Sequence, residues 1–257
     1  MPPDTEGFFP AEPILDAPAA DSTPARVPFW SYTDLALLLG LLVASVVIIL
    51  LVVGGFVFVY PNLKHDQSPL LLPTQFALYG FLYFSFRLVF GLRYDKPVFA
   101  SLGWCRSKFN LLMAAGGGVL LAFLVSALAA LLHTPQVPSP VESLMGSPAL
   151  LTLFAIMAVT VAPLFEELLF RGFIQPLLSR TFGVIAGILI TALVFGALHA
   201  PEYSFAWQYA LAVSIVGAAL GWVRSASNSI IPSTVMHGSY NAVFVIALAV
   251  SKLTSTK

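Results

Sequence analysis

Residues 35–59 run for 25 positions without a single charge. About 20 apolar residues are enough for a helix to cross a bilayer, so this run reads as a membrane span. Trp30, Tyr32 and Tyr60 stand at its ends, where interfacial aromatics belong. The rest of the chain repeats the pattern. Further apolar stretches cover residues 70–92, 109–132, 148–178, 183–199, 203–223 and 230–250. Only 9% of the residues are charged, 58% are hydrophobic and the mean hydropathy is +0.91. A soluble domain carries roughly 25% charged residues, so this chain cannot cover a soluble surface. The expected fold is all-α: a polytopic integral membrane helical bundle of about seven transmembrane helices, within a range of about six to eight.

Residues 1–29 differ in kind. They hold Asp4, Glu6, Glu12, Asp16 and Asp21 against Arg26 alone, with seven prolines. A cleavable signal needs a basic start and an apolar core, and this segment has neither. It reads as a disordered, acidic, proline-rich tail. The expected organisation is this tail at 1–29, three spans with their loops at 30–148, and a four-helix core at 149–251. The second span carries Arg87 near its end, within snorkelling reach of the surface. In the third, Gly116-Gly117-Gly118 suggests close helix contact or a bend. Pro163 and Pro176 are candidate kinks in the long fourth helix. The pairs Gly183/Gly187 and Gly217/Gly221 permit tight packing.

Lysine and arginine in the flanks set the expected orientation. With seven spans and a cytoplasmic N-terminus, Arg26, Arg93, Lys96, Arg106, Lys108, Arg180 and Arg224 lie inside. Lys64, Lys252 and Lys257 lie outside. Seven against three favours that arrangement. The net charge is zero, which offers no footprint for nucleic acid. The single cysteine, Cys105, excludes an internal disulfide and a multi-cysteine metal cage.

The fourth span breaks the apolar rule. Residues 149–165 hold no charge, and then Glu166, Glu167 and Arg171 follow within six positions. Charges at such depth are expensive in lipid and mark a functional site by default. Glu167 and Arg171 are four apart, on one helix face, and can pair. Glu166 lies about 100° around the helix from Glu167 and is left to face a cavity. Three more polar side chains occupy later spans: His199 ends the fifth, one turn above Phe195, and His237 and Asn241 share a face of the seventh. Counted from the helix ends on one side, Glu166, His199 and His237 lie at depths of ~18, ~22 and ~10 Å. None of them is stranded at the opposite surface.

Such a cluster offers specific chemistry. A carboxylate in apolar surroundings holds a proton more readily than one in water, which suits a general base acting on water. Glu166 is the candidate. A histidine at the same level, His199, can share that proton. A second histidine with an asparagine amide, His237 and Asn241, can donate to a developing oxyanion. Glu166, His199 and His237 are also the candidate ligands for a divalent metal such as zinc with an open position. The His-Glu-x-x-His signature of the common zinc proteases is absent. Taken singly, each feature has a bland reading: an interhelical tie, an interfacial histidine, a hydrogen-bonding rung.

The order Glu-Glu-x-x-x-Arg, Phe-x-x-x-His, His-x-x-x-Asn resembles the CAAX-protease and bacteriocin-processing family of intramembrane proteases. Glu166, Glu167 and Arg171 match its first motif, Phe195 and His199 its second, and His237 and Asn241 its third. The resemblance covers about residues 149–250. It implies an intramembrane endopeptidase in which Glu166 and His199 activate water while His237 and Asn241 stabilise the oxyanion. Glu167, Arg171 and Phe195 would be structural support. The family has been described both as metalloproteases and as metal-free glutamate proteases, so the resemblance leaves the metal open. The partners it implies are the lipid bilayer and a membrane-embedded or lipid-modified peptide. Two other classes fit the same composition. One is a non-catalytic scaffold or bacteriocin-immunity protein of the same fold. The other is an ion-coupled transporter, for which the sequence offers no inverted repeat.

Overall fold

The computed structural model describes residues 28–65, 68–137 and 147–255. Most of the acidic tail, with Arg26, lies outside the described residues, as do much of the loop before the fourth span and Lys257. Seven helices are long and apolar enough to cross a membrane. They are α1 (Tyr32–Val59), α2 (Ser68–Tyr94), α4 (Leu111–Leu131), α5 (Pro148–Phe182), α6 (Val184–His199), α7 (Trp207–Ser227) and α8 (Ile230–Ser255). A short helix, α3 (Val98–Ser101), lies in the loop after α2. The protein is a polytopic helical membrane bundle. Large apolar side chains such as Leu50, Leu51 and Phe58 on α1 and Leu112 on α4 are outward-facing, as lipid contact requires.

The start of α1 is anchored by an acid that hydropathy passes over. Asp34 is fully buried and closes a capping box with Ser31. It also accepts from Tyr94 at 2.6 Å and pairs with Arg93 at 3.0 Å. Trp30 is buried within the protein. Its indole stacks on Phe173 and its Nε1 donates to the Phe173 carbonyl at 3.1 Å. A buried indole needs such a partner for its N–H. This aromatic core joins Trp30, Leu38, Phe86, Phe90, Leu102, Phe173, Leu177 and Ile230. It ties α1 and α2 to the second half of α5 and the start of α8.

Helix α5 is continuous but not uniform. It widens into π-helical turns at Met157–Val161 and again at Leu168–Ile174. Each widened stretch lies just before a proline, Pro163 or Pro176. A proline lacks an N–H and its ring crowds the carbonyl four residues back, and a π turn relieves that crowding. The freed carbonyls then face a neighbour. Asn241 of α8 donates its Nδ2 to the Ala158 oxygen at 2.8 Å. Gly238 lies directly against the Val159 oxygen. Helix α8 therefore docks on the first widened turn of α5.

Two further close approaches fix α8 and α6. At Gly118 of α4, an added Cβ would collide with the Met236 carbonyl and the Ser239 hydroxyl of α8. The three-glycine run thus serves close contact through this one member. At Gly187 of α6 it would collide with Ser179 of α5, across the turn made by Gly183 at φ +86°. The loop after α3 holds the α7–α8 turn. Ile230 N donates to Gly103 O at 3.0 Å, and Ser229 Oγ to Cys105 O at 2.6 Å. Gly238→Ala would set a methyl 2.5 Å from the Val159 oxygen. We expect it to destabilise the bundle by about 1–3 kcal/mol, read as a lower thermal unfolding midpoint of the purified protein.

Candidate active site

The second widened turn of α5 begins just after the two glutamates. Glu167 and Arg171 form an ion pair of 2.9 Å, and both side chains are fully buried. Arg171 also donates to the Gly217 carbonyl at 2.9 Å and lies 4.6 Å over the Phe195 ring. One turn on, Gln175 donates to the Gly221 carbonyl at 2.9 Å and to Ser225 at 3.0 Å. Residues 171 and 175 thus grip two carbonyls one turn apart on α7. The missing side chain at Gly221 makes room for Gln175, since a Cβ there would stand 2.9 Å from its Oε1, while Gly217 clears Ala192 and Phe195 of α6.

His237 stands between the two acids. Its Nδ1 is 3.2 Å from Glu167 Oε1, and its Nε2 is 3.7 Å from Glu166 Oε2. Glu167 is paired with Arg171 and its carboxylate accepts, so Nδ1 of His237 carries the proton. The separation from Glu166 exceeds a direct hydrogen bond. The 100° between adjacent acids on α5 does not send them to different partners, because one imidazole inserted from α8 presents a nitrogen to each. Glu166 is the more open acid, with 20% of its side chain exposed against none for Glu167. Its other oxygen, Oε1, accepts from the Tyr79 hydroxyl of α2 at 3.0 Å.

His199 is half-buried at the end of α6. Its Nδ1 lies 2.8 Å from the Phe195 carbonyl. A carbonyl only accepts, so Nδ1 is the donor and Nε2 of the neutral ring is left with a lone pair. The Phe195 ring packs between both histidines, with centroids 4.5 Å from His199 and 6.0 Å from His237. Glu202, in the 3₁₀ turn Ala200–Tyr203, lies within electrostatic reach of both His199 and Glu166. Asn241 is engaged with Ala158 through one N–H, and a primary amide has a second to offer.

The structure therefore gathers Glu166, Glu167, Arg171, Phe195 and His237 into one contact network, with His199 joined to it through Phe195. Asn241 borders the network from the next turn of α8. Tyr79 and Glu202 are additions that sequence reasoning missed. Tyr79 has one usable signal, a polar hydroxyl ten positions into an apolar span. Glu202 has only its place three residues after His199. Among the described residues, no group of three or more His, Cys, Asp or Glu side chains is arranged to hold a metal ion. Glu166, His199 and His237 therefore do not form such a group.

Glu167→Ala would leave the Arg171 guanidinium buried beside an empty space. Breaking a buried pair in this way typically costs about 3–5 kcal/mol. The expected result is a sharp loss of folded protein after detergent extraction, whereas Glu166→Gln extracts and elutes like the parent chain. Normal folding of Glu167→Ala would contradict the anchoring role.

Comparison with known proteins bears on the same segment. Residues 148–243 match the family model described as type II CAAX prenyl endopeptidase Rce1-like. No curated relative and no solved structure matches the chain. The matched segment runs from the first residue of α5 into the middle of α8 and contains all three motifs. The chain is an integral multi-pass membrane protein, and its residues 148–243 are similar to the Rce1-like family of type II CAAX prenyl endopeptidases.

Proposed function

We propose that the protein hydrolyses a peptide bond of a membrane-associated, lipid-modified substrate with a water activated by Glu166 and His199. The observation that carries this reading is the division of the two acids. Glu167 is locked to Arg171, whereas Glu166 is partly open and has one oxygen directed toward His237 rather than bonded to a cation. The lone pair on His199 Nε2 adds a second proton acceptor beside the Phe195 ring.

Glu166 takes a proton from water as the water oxygen attacks the scissile carbonyl carbon. The carbonyl oxygen becomes an oxyanion, and the second N–H of Asn241 donates to it, joined by Nε2 of His237 in the imidazolium form, in which both ring nitrogens are donors. The tetrahedral intermediate collapses, the C–N bond breaks, and the proton held by Glu166 or His199 passes to the leaving amine. The apolar bundle excludes bulk water, which strengthens each of these charge interactions. The family model that matches is described as a type II CAAX prenyl endopeptidase, which makes a prenylated CAAX peptide the substrate to test. An entrance from the cytoplasmic side follows from the expected orientation.

Glu166→Gln and His199→Ala should each fold and lower kcat on a farnesylated CAAX peptide by about 10²–10⁴-fold, the usual contribution of general acid–base catalysis. Release of the cleaved peptide, followed by mass spectrometry, is the measurement. Unchanged cleavage by both variants would sink the reading. Elemental analysis and the same assay with and without chelator test the zinc alternative.

A further inference from the structure

Tyr79 lies outside the segment matched to the family and beyond all three motifs. It is nonetheless the side chain bonded to Glu166, with its hydroxyl donating to Oε1 at 3.0 Å. We propose that Tyr79 is a positioning residue for the reaction, which aims the Glu166 carboxylate by holding Oε1 so that Oε2 is presented to the attacking water. The inference rests on the reading of Glu166 as the base.

A glutamate carries three rotatable bonds, and a base that wanders loses the near-attack geometry that much of catalysis depends on. On α5 itself the guanidinium of Arg171 is bonded to Glu167 and to the Gly217 carbonyl of α7 rather than to Glu166. The restraint comes from α2. Tyr79 is 6% exposed, and its ring stacks on Phe165 at 5.3 Å with an interplanar angle of 13°. Phe165 immediately precedes Glu166, so α2 grips the backbone neighbour with the ring and the carboxylate with the hydroxyl. Gln75, one turn earlier on α2, interacts with the same hydroxyl. The two Glu166 oxygens are thereby distinguished: Oε1 belongs to Tyr79, and Oε2 faces His237 at 3.7 Å. This arrangement makes the N-terminal half of the chain part of the site rather than a membrane anchor for it.

Tyr79→Phe deletes the hydroxyl and keeps the stacked ring. On a farnesylated CAAX peptide, the full-length variant should lose about 10- to 100-fold in kcat, the worth of a hydrogen bond to a charged group. KM should stay within about twofold, since the hydroxyl does not touch substrate. Infrared spectra supply a readout that a structural role would not move. The carboxyl or carboxylate band that disappears in Glu166→Gln should shift in frequency in Tyr79→Phe. An unshifted band, or an unchanged kcat, overturns the proposal. So does a fall in thermal unfolding midpoint that accounts for the lost activity, because the hydroxyl would then serve the fold alone. Should Glu166→Gln itself cleave at the parent rate, the proposed function fails. Should Glu166→Gln be inactive while Tyr79→Phe is fully active, only the role of Tyr79 fails.

Discussion

A carboxylate and a guanidinium with no exposed surface hold this bundle together around its site. Glu167 and Arg171 are 2.9 Å apart on one face of α5. In hydrocarbon neither charge persists alone, so each must be answered within the protein. The answers come from different helices. Glu167 takes the His237 Nδ1 from α8, and Arg171 takes the Gly217 carbonyl from α7 and the face of Phe195 from α6. Three helices are thereby set around α5 in one register. Lipid supplies little hydrophobic drive between helices, so packing and hydrogen bonds of this sort carry much of the association.

The widened turns of α5 do the complementary work. A regular α-helix keeps its carbonyls occupied internally. The π turn before Pro163 releases the Ala158 and Val159 oxygens, and α8 meets them with Asn241 and Gly238. His237 directly precedes Gly238. The backbone contact that docks α8 therefore also sets the imidazole between the two acids. Prolines that local rules treat as kinks thus create the acceptors on which the active face is assembled.

Much of this was legible in residue types and spacing. The long uncharged runs placed the seven spans, because the bilayer sets the length a helix must have. The four-residue interval between Glu167 and Arg171 made a pair available, since such side chains are neighbours on a helix. Other features were hidden. Asp34 reads as a stray charge at the edge of a span, and only its burial under Ser31, Arg93 and Tyr94 reveals an anchor. Trp30 reads as an aromatic at the end of a span, and only its stacking on Phe173 and its bond to the Phe173 carbonyl reveal a buried anchor. Gly217 and Gly221 look like packing residues, and their carbonyls prove to be acceptors for Arg171 and Gln175.

By itself the sequence determined a helical membrane bundle and the three motifs, because apolar run length and helical period are local properties of the chain. Only tertiary structure decided how the motifs share their contacts. It put one histidine between two acids, committed one N–H of Asn241 to a carbonyl of α5, and brought Tyr79 from a distant span onto Glu166. Those pairings depend on helix crossing and rotation, which are set by the close approaches at Gly118, Gly187 and Gly238 and by the need to answer buried charge. No spacing along the chain encodes which helix faces which.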